Sequence, residues 1–134
     1  MWDGFRTELG STNEPLSDAA RVLEAEARRA FGDPVTALGA LYAFEAQQPK
    51  TTRSKLDGLR LHYAMPESSS STAYFRAHAD DYGEREELSA RAGALTPGDL
   101  ARAEDACETL CCAMWSMLDG VMASAPTCLA SCLA

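Results

Sequence analysis

Apolar residues recur along this chain at the three- and four-residue intervals of helices, broken by short polar runs. Leu16, Ala20, Leu23, Ala27 and Phe31 share one stripe, behind a turn-forming "GSTNEPLSD" in which Ser17 or Asp18 can start a helix. "GDP" closes that helix near Phe31 and opens the next, with Asp33 as a natural N-cap and Pro34 suited to the first helical position. The second helix carries Leu38, Leu41, Tyr42 and Glu45 on one stripe and is predicted to stop at Pro49. A third is predicted from about Thr51 to Met65, burying Leu56, Leu59 and Tyr63. Polar "PESSSS" precedes a fourth, from about Thr72 to Ala92, which "GALTPGD" breaks. Thr96, Pro97 and Asp99 then supply an N-cap, a first-position proline and a first-turn acid for the final helix. Its stripe is Leu100, Ala103, Cys107, Leu110, Met114, Met117 and Val121.

Five helices joined by short loops predict an all-α antiparallel bundle. The domain reading is one helical domain over residues 1–134, with a loop to about 15, the bundle over 16–123 and a weakly ordered tail over 124–134. Composition agrees, because alanine and leucine are abundant while valine is scarce and isoleucine absent. A net charge of −8 disfavours nucleic acid and anionic lipid as partners. With no long apolar run and no secretory pattern at "MWDGFRTELG", no membrane contact is expected and the expected location is the cytoplasm. All five cysteines lie beyond residue 106, unlike the spread of a secreted disulfide framework, so reduced thiols are expected. Cys107–Cys111 and Cys128–Cys132 are each spaced i, i+4, and the first pair reads as small core residues rather than a zinc site. Gly39 and Gly58, inside helices, predict close helix–helix approach. Tyr42, Tyr74 and Trp115 read as core, and His62 as near the surface.

Glu45 is the anomaly, a carboxylate that continues an apolar face. An unpaired buried ion costs several kcal/mol, so Glu45 must be neutral, paired, metal-bound or at the bundle's edge. In "YFRAHADDYGEREEL", Tyr74, His78, Asp81, Tyr82 and Arg85 lie close to one helical stripe. His78 and Asp81 are spaced i, i+3, and Glu84 follows three residues on. Imidazole with carboxylate oxygen suits iron or manganese in an open site. One helix with Glu45 and another with His78, Asp81 and Glu84 would make half of a dinuclear carboxylate site. The blander readings stand beside it: a satisfied core or solvent-facing His78, a wet acidic face, and Glu45 paired with Arg85 or Lys55.

Four segments, "ALYAFEAQQP", "KLDGLRLHY", "AYFRAHADD" and "AMWSMLDGV", resemble in order and spacing the haem-oxygenase-like helical superfamily. The likeness runs from about Leu16 to Ala123 and is closest to its iron-containing oxidase/oxygenase branch, related to PqqC- and TenA-type proteins. Its most specific parts are "YxxEAQxP" and "W-x-x-LDG". The resemblance implies Glu45 and His78 as iron ligands, a possibly dinuclear iron cofactor, O₂ and a small organic substrate. Two departures accompany it. The family's helix reads His, three residues, Asp, two residues, His, whereas here Asp81 follows His78 after two, and Glu84 or Arg85 holds the second histidine's place. Asp81 and Glu84 are thus candidate substitutes. Family members also carry N-terminal helices that supply a further Glu and His, so the chain resembles an N-terminally truncated relative. Glu24 and Glu26 match no ligand. Three arrangements remain open: an inactive remnant, weak binding of one metal, or missing helices supplied by another chain. The last two predict an oligomer. A TenA-type hydrolase would need a nucleophilic cysteine in the pocket, and the cysteines cluster elsewhere. The alternative to an enzyme is a non-catalytic helical interaction module.

Overall fold

The structure, a computed structural model, describes residues 17–66, 69, 72–80 and 82–124. The described residues form six helices in chain order: α1 (Asp18–Ala30), α2 (Pro34–Glu45), α3 (Gln48–Tyr63), α4 (Ala73–Ala77), α5 (Glu84–Gly93) and α6 (Pro97–Ser124). The described residues are all-α, with no strand among them. None of these helices is long and apolar enough to cross a membrane. The expected N-terminal loop, Leu16, Asp81, the tail beyond Ser124 and its Cys128 and Cys132 lie outside the described residues. The chain divides into two compact units, residues 17–40 with 95–124, and residues 41–94.

In the first unit α1 packs on α6. Each helix starts on its predicted cap. Ser17 Oγ accepts the Ala20 N–H at 3.2 Å, Asp33 Oδ1 accepts Val35 and Thr36 N–H at 3.0 and 3.2 Å, and Thr96 Oγ1 accepts the Asp99 N–H at 3.2 Å. The core is nearly all alanine, with Ala30, Ala40, Ala103, Ala106 and Ala113 around Leu110. Side chains this small bring helix axes together. At Gly39 a Cβ would overlap the Ala103 carbonyl, so only glycine permits this crossing. Arg102 ties the helix starts together, reaching Asp33 and Asp99 at 3.0 Å each. Toward its C-terminus α6 exposes Trp115 (68%), Leu118, Val121 and Met122 (74%), which corrects the core readings of Trp115 and Val121. The helical stripe continues past the surface that α6 buries.

The 41–94 unit is built differently. Its buried residues, among those described, are Ala43, Phe75, Thr52 and Thr72. Pro49 does not end the second helix. The helix stops at Glu45, and Pro49 occupies the first turn of α3, where its missing N–H costs nothing. Helix α3 packs on α4, and Lys55 Nζ lies 6.0 Å from the centre of the Phe75 ring. Tyr63, expected inside, is 68% exposed, and His62 is exposed as expected. Ala64 closes α3 in the left-handed region at φ 51°, with the Ala64 and Met65 N–H groups both on the Leu59 carbonyl. Gly58, unlike Gly39, faces open space, so no close approach explains it.

The largest difference from expectation is the fourth helix. It is two helices, α4 and α5, with His78 as the C-cap of α4 and Gly83 as the N-cap of α5. "ADDYG" brings turn formers together, and Gly83 takes φ 83°, which stops helical continuation. Glu84, Glu86 and Glu87 then favour a new helix start through the dipole.

Candidate functional site

The sequence-predicted ligands that are described all lie in the 41–94 unit. Glu45 is the last residue of α2 and half-buried. The turn beyond it is fixed by the Ala46 N–H on the Tyr42 carbonyl at 3.1 Å and by Gln47 Nε2 on the Ala43 carbonyl at 2.8 Å. Its carboxylate has no hydrogen-bond or ion-pair partner among the described residues, and neither Arg85 nor Lys55 pairs with it. Three residues on, Gln48 Oε1 is buried without a hydrogen-bond partner among the described residues. Gln48 Oε1 is thus the buried side-chain acceptor left unanswered among the described residues, whereas half-buried Glu45 keeps access to water.

His78 is half-buried. Its Nδ1 lies 2.8 Å from the Tyr74 carbonyl oxygen, which can only accept, so Nδ1 carries the proton and Nε2 holds the lone pair in the neutral ring. The ring packs on Tyr74 with centroids 4.4 Å apart, and Tyr74 meets Phe75 edge-on at 5.5 Å. Tyr74 is half-buried, and Phe75, buried at 5%, anchors the group. Glu84 begins α5, and its Oε2 accepts the Tyr82 N–H at 3.1 Å, the work of a helix-start carboxylate.

These positions overturn the expected iron cofactor. Among the described residues no three His, Cys, Asp or Glu side chains group so that they could hold a metal ion. The expectation took His78, Asp81 and Glu84 from one continuous helical face. The break between Ala77 and Glu84 removes that register, and Glu84 is turned onto backbone. Among the described residues a mononuclear or dinuclear iron site has no donor set. The thiols do not replace it. Cys107 and Cys111 are half-buried on α6, where burial first and the neighbouring Cys111 second push the Cys107 thiol up.

The 41–94 unit does border an open groove of about 510 Å³, whose described lining residues are Tyr42, Arg85, Glu86, Ser89 and Ala90. Arg85, Glu86, Ser89 and Ala90 follow i, i+1, i+4, i+5 on α5, and half-buried Tyr42 faces them from α2. Arg85 Nε and Nη2 both reach Glu86 Oε1, at 3.1 and 2.8 Å, within the groove wall. Among the described residues the groove joins the Arg85–Glu86 ion pair, two hydroxyl side chains and an aromatic ring, polar and aromatic groups of the kind found in ligand sites. Sequence reasoning missed it, having placed Tyr42 in the core and Arg85 as a partner for Glu45. The signal was present in the i, i+4 spacing of Arg85 and Ser89, but which helix faces them is a tertiary fact.

No family model matches the chain, and no solved structure matches it. Among curated proteins, a 4-aminobenzoate synthase of Nitrosomonas europaea is 32% identical over 131 residues, covering 90% of this chain and 53% of that protein. A 4-aminobenzoate synthase of Chlamydia pneumoniae is 34% identical over 87 residues, covering 60% of this chain and 38% of that protein. The chain therefore spans about half the length of the first relative and less of the second.

Proposed function

We propose that this chain is part of a helical enzyme of the haem-oxygenase-like kind that forms a small aromatic acid, 4-aminobenzoate, in the cytoplasm. The observation that carries the reading is the similarity to two curated 4-aminobenzoate synthases from different bacteria, the longer alignment reaching over 90% of the chain. The four segments quoted above and the all-α architecture support the same lineage. Half-buried Glu45, the buried Gln48 Oε1 and the groove at Tyr42 and Arg85 give the 41–94 unit polar groups for a ligand. The test is genetic. Expressed from its complete gene in a bacterium deleted for its own 4-aminobenzoate synthesis, the protein should restore growth without supplement and yield 4-aminobenzoate by mass spectrometry. No growth and no product from soluble, folded protein would sink the reading.

A second reading, a helical interaction module that pairs with itself or with another chain, is favoured by Trp115, Leu118, Val121 and Met122 on the exposed face of α6. Light scattering discriminates it. A stable oligomer that Trp115→Glu dissociates, in a protein that makes no 4-aminobenzoate, is the outcome this reading predicts.

A further inference from the structure

We infer that Cys107 and Cys111 of α6 form a two-thiol site for a soft monovalent cation, Cu(I), held between their sulfurs. The pair belongs to the unit of residues 17–40 and 95–124, and the inference does not rest on the proposed function. The two residues are four apart within the unbroken helix Pro97–Ser124, so they share one face with Cβ atoms about 5–6 Å apart. Both carry free thiols and both are half-buried. Their side chains are hydrogen-bonded to each other, which sets the two sulfurs on either side of one proton. A metal–thiolate bond of about 2.3 Å lets a cation in line between two sulfurs span about 4.6 Å, a small widening that side-chain rotation supplies. Ligand number then selects the metal. Zinc takes four donors, and among the described residues no third His, Cys, Asp or Glu joins the pair to hold one. Monovalent copper is satisfied by two thiolates in line, and sulfur's softness favours it over harder cations. Cys112 is exposed and about 100° further round the helix, so it is not a third ligand. Glu108 acts electrostatically on the Cys107 thiol, and with a net charge of −8 on the chain the local field favours a cation. On binding, two S–H bonds break and two Cu–S bonds form. Both protons pass to water, copper stays Cu(I), and the bis-thiolate complex carries one negative charge.

The experiment is an anaerobic titration of the reduced full chain with Cu(I), in competition with bicinchoninate, a chromophoric Cu(I) chelator. Cys112→Ser, Cys128→Ser and Cys132→Ser together make a background in which the pair holds the remaining thiols. That background should still withhold about one Cu(I) per chain from the chelator and show the ultraviolet charge-transfer band of a Cu(I)–thiolate bond. Adding Cys107→Ser or Cys111→Ser should weaken retention by roughly tenfold or more and remove the band. Cys107→Ala and Cys111→Ala, which suit a helix whose buried side is largely alanine, should do the same while leaving the circular dichroism spectrum unchanged. Zn(II) offered in place of Cu(I) should be held roughly tenfold or more weakly, for want of further donors. Three results would overturn the inference: no Cu(I) withheld by the background, retention unmoved when either thiol of the pair is removed from a folded chain, or zinc held as tightly as copper.

Discussion

In residues 17–40 and 95–124, five alanines and Leu110 are sealed, every predicted cap accepts its N–H, and Gly39 lies where a Cβ would strike backbone. In residues 41–94 the buried set is Ala43, Phe75 and two threonines, one helix is broken, and a non-glycine residue sits at positive φ. The same unit leaves buried Gln48 Oε1 without a hydrogen-bond partner among the described residues. Similar helix-forming composition has thus produced one region whose local choices agree and one in which several conflict. Such conflicts mark places where something other than stability shapes the sequence. The groove lies in the second region.

The two interior glycines break or sharpen this contrast most directly. Gly39→Ala is expected to have the largest effect, a loss of about 3 kcal/mol or more in urea unfolding, because the clash is with the Ala103 backbone and cannot be relieved by a rotamer. A neutral result would mean that the α2–α6 crossing is not close. Leu110→Ala should follow at about 3 kcal/mol, since that side chain is only 1% exposed amid small neighbours. The opposite sign is expected in the 41–94 unit. Ala64→Gly relieves the left-handed cap and should stabilise by about 1 kcal/mol, and Gly58→Ala, with open space around its Cβ, by about 0.5–1 kcal/mol. Destabilisation by either would show that this unit is as tightly fitted as the other.

The smallest effect should come from Asp33. The Thr36 N–H holds its carboxyl below the usual aspartate value, opposed by some desolvation and aided by the Val35 N–H and Arg102. A lowered folded-state value means that its stabilisation is present above the unfolded value of about 3.9 and is lost as pH falls through the folded one. Asp33→Ala should therefore lower the melting temperature slightly near neutrality, and the difference from the parent should shrink on acidification below about pH 4. A difference constant with pH would assign the effect to the cap's shape rather than its charge.

Much of the helical layout was legible in local signals. Ser17, Asp33 and Thr96 act within three residues of themselves, so the start of each of their helices could be read from short stretches. The candidate site was far less legible. Spacing placed His78, Asp81 and Glu84 on one face only by assuming an unbroken helix, and the turn chemistry of "ADDYG" outweighed that periodicity. Pro49 was misread because the same ring ends one helix or begins another, depending on the backbone before it.

Composition, periodicity and capping residues were sufficient for an all-α chain with helix starts at Asp18, Pro34 and Pro97, because these depend on interactions within one or two turns. Which glycine is indispensable, which aromatic is exposed and which acid lacks a partner depended on residues far apart in the chain. Gly39 and Gly58 look alike in sequence, and only the Ala103 backbone beside one of them makes them different. Tyr42 and Arg85, far apart in the chain, likewise line one groove only in the tertiary structure.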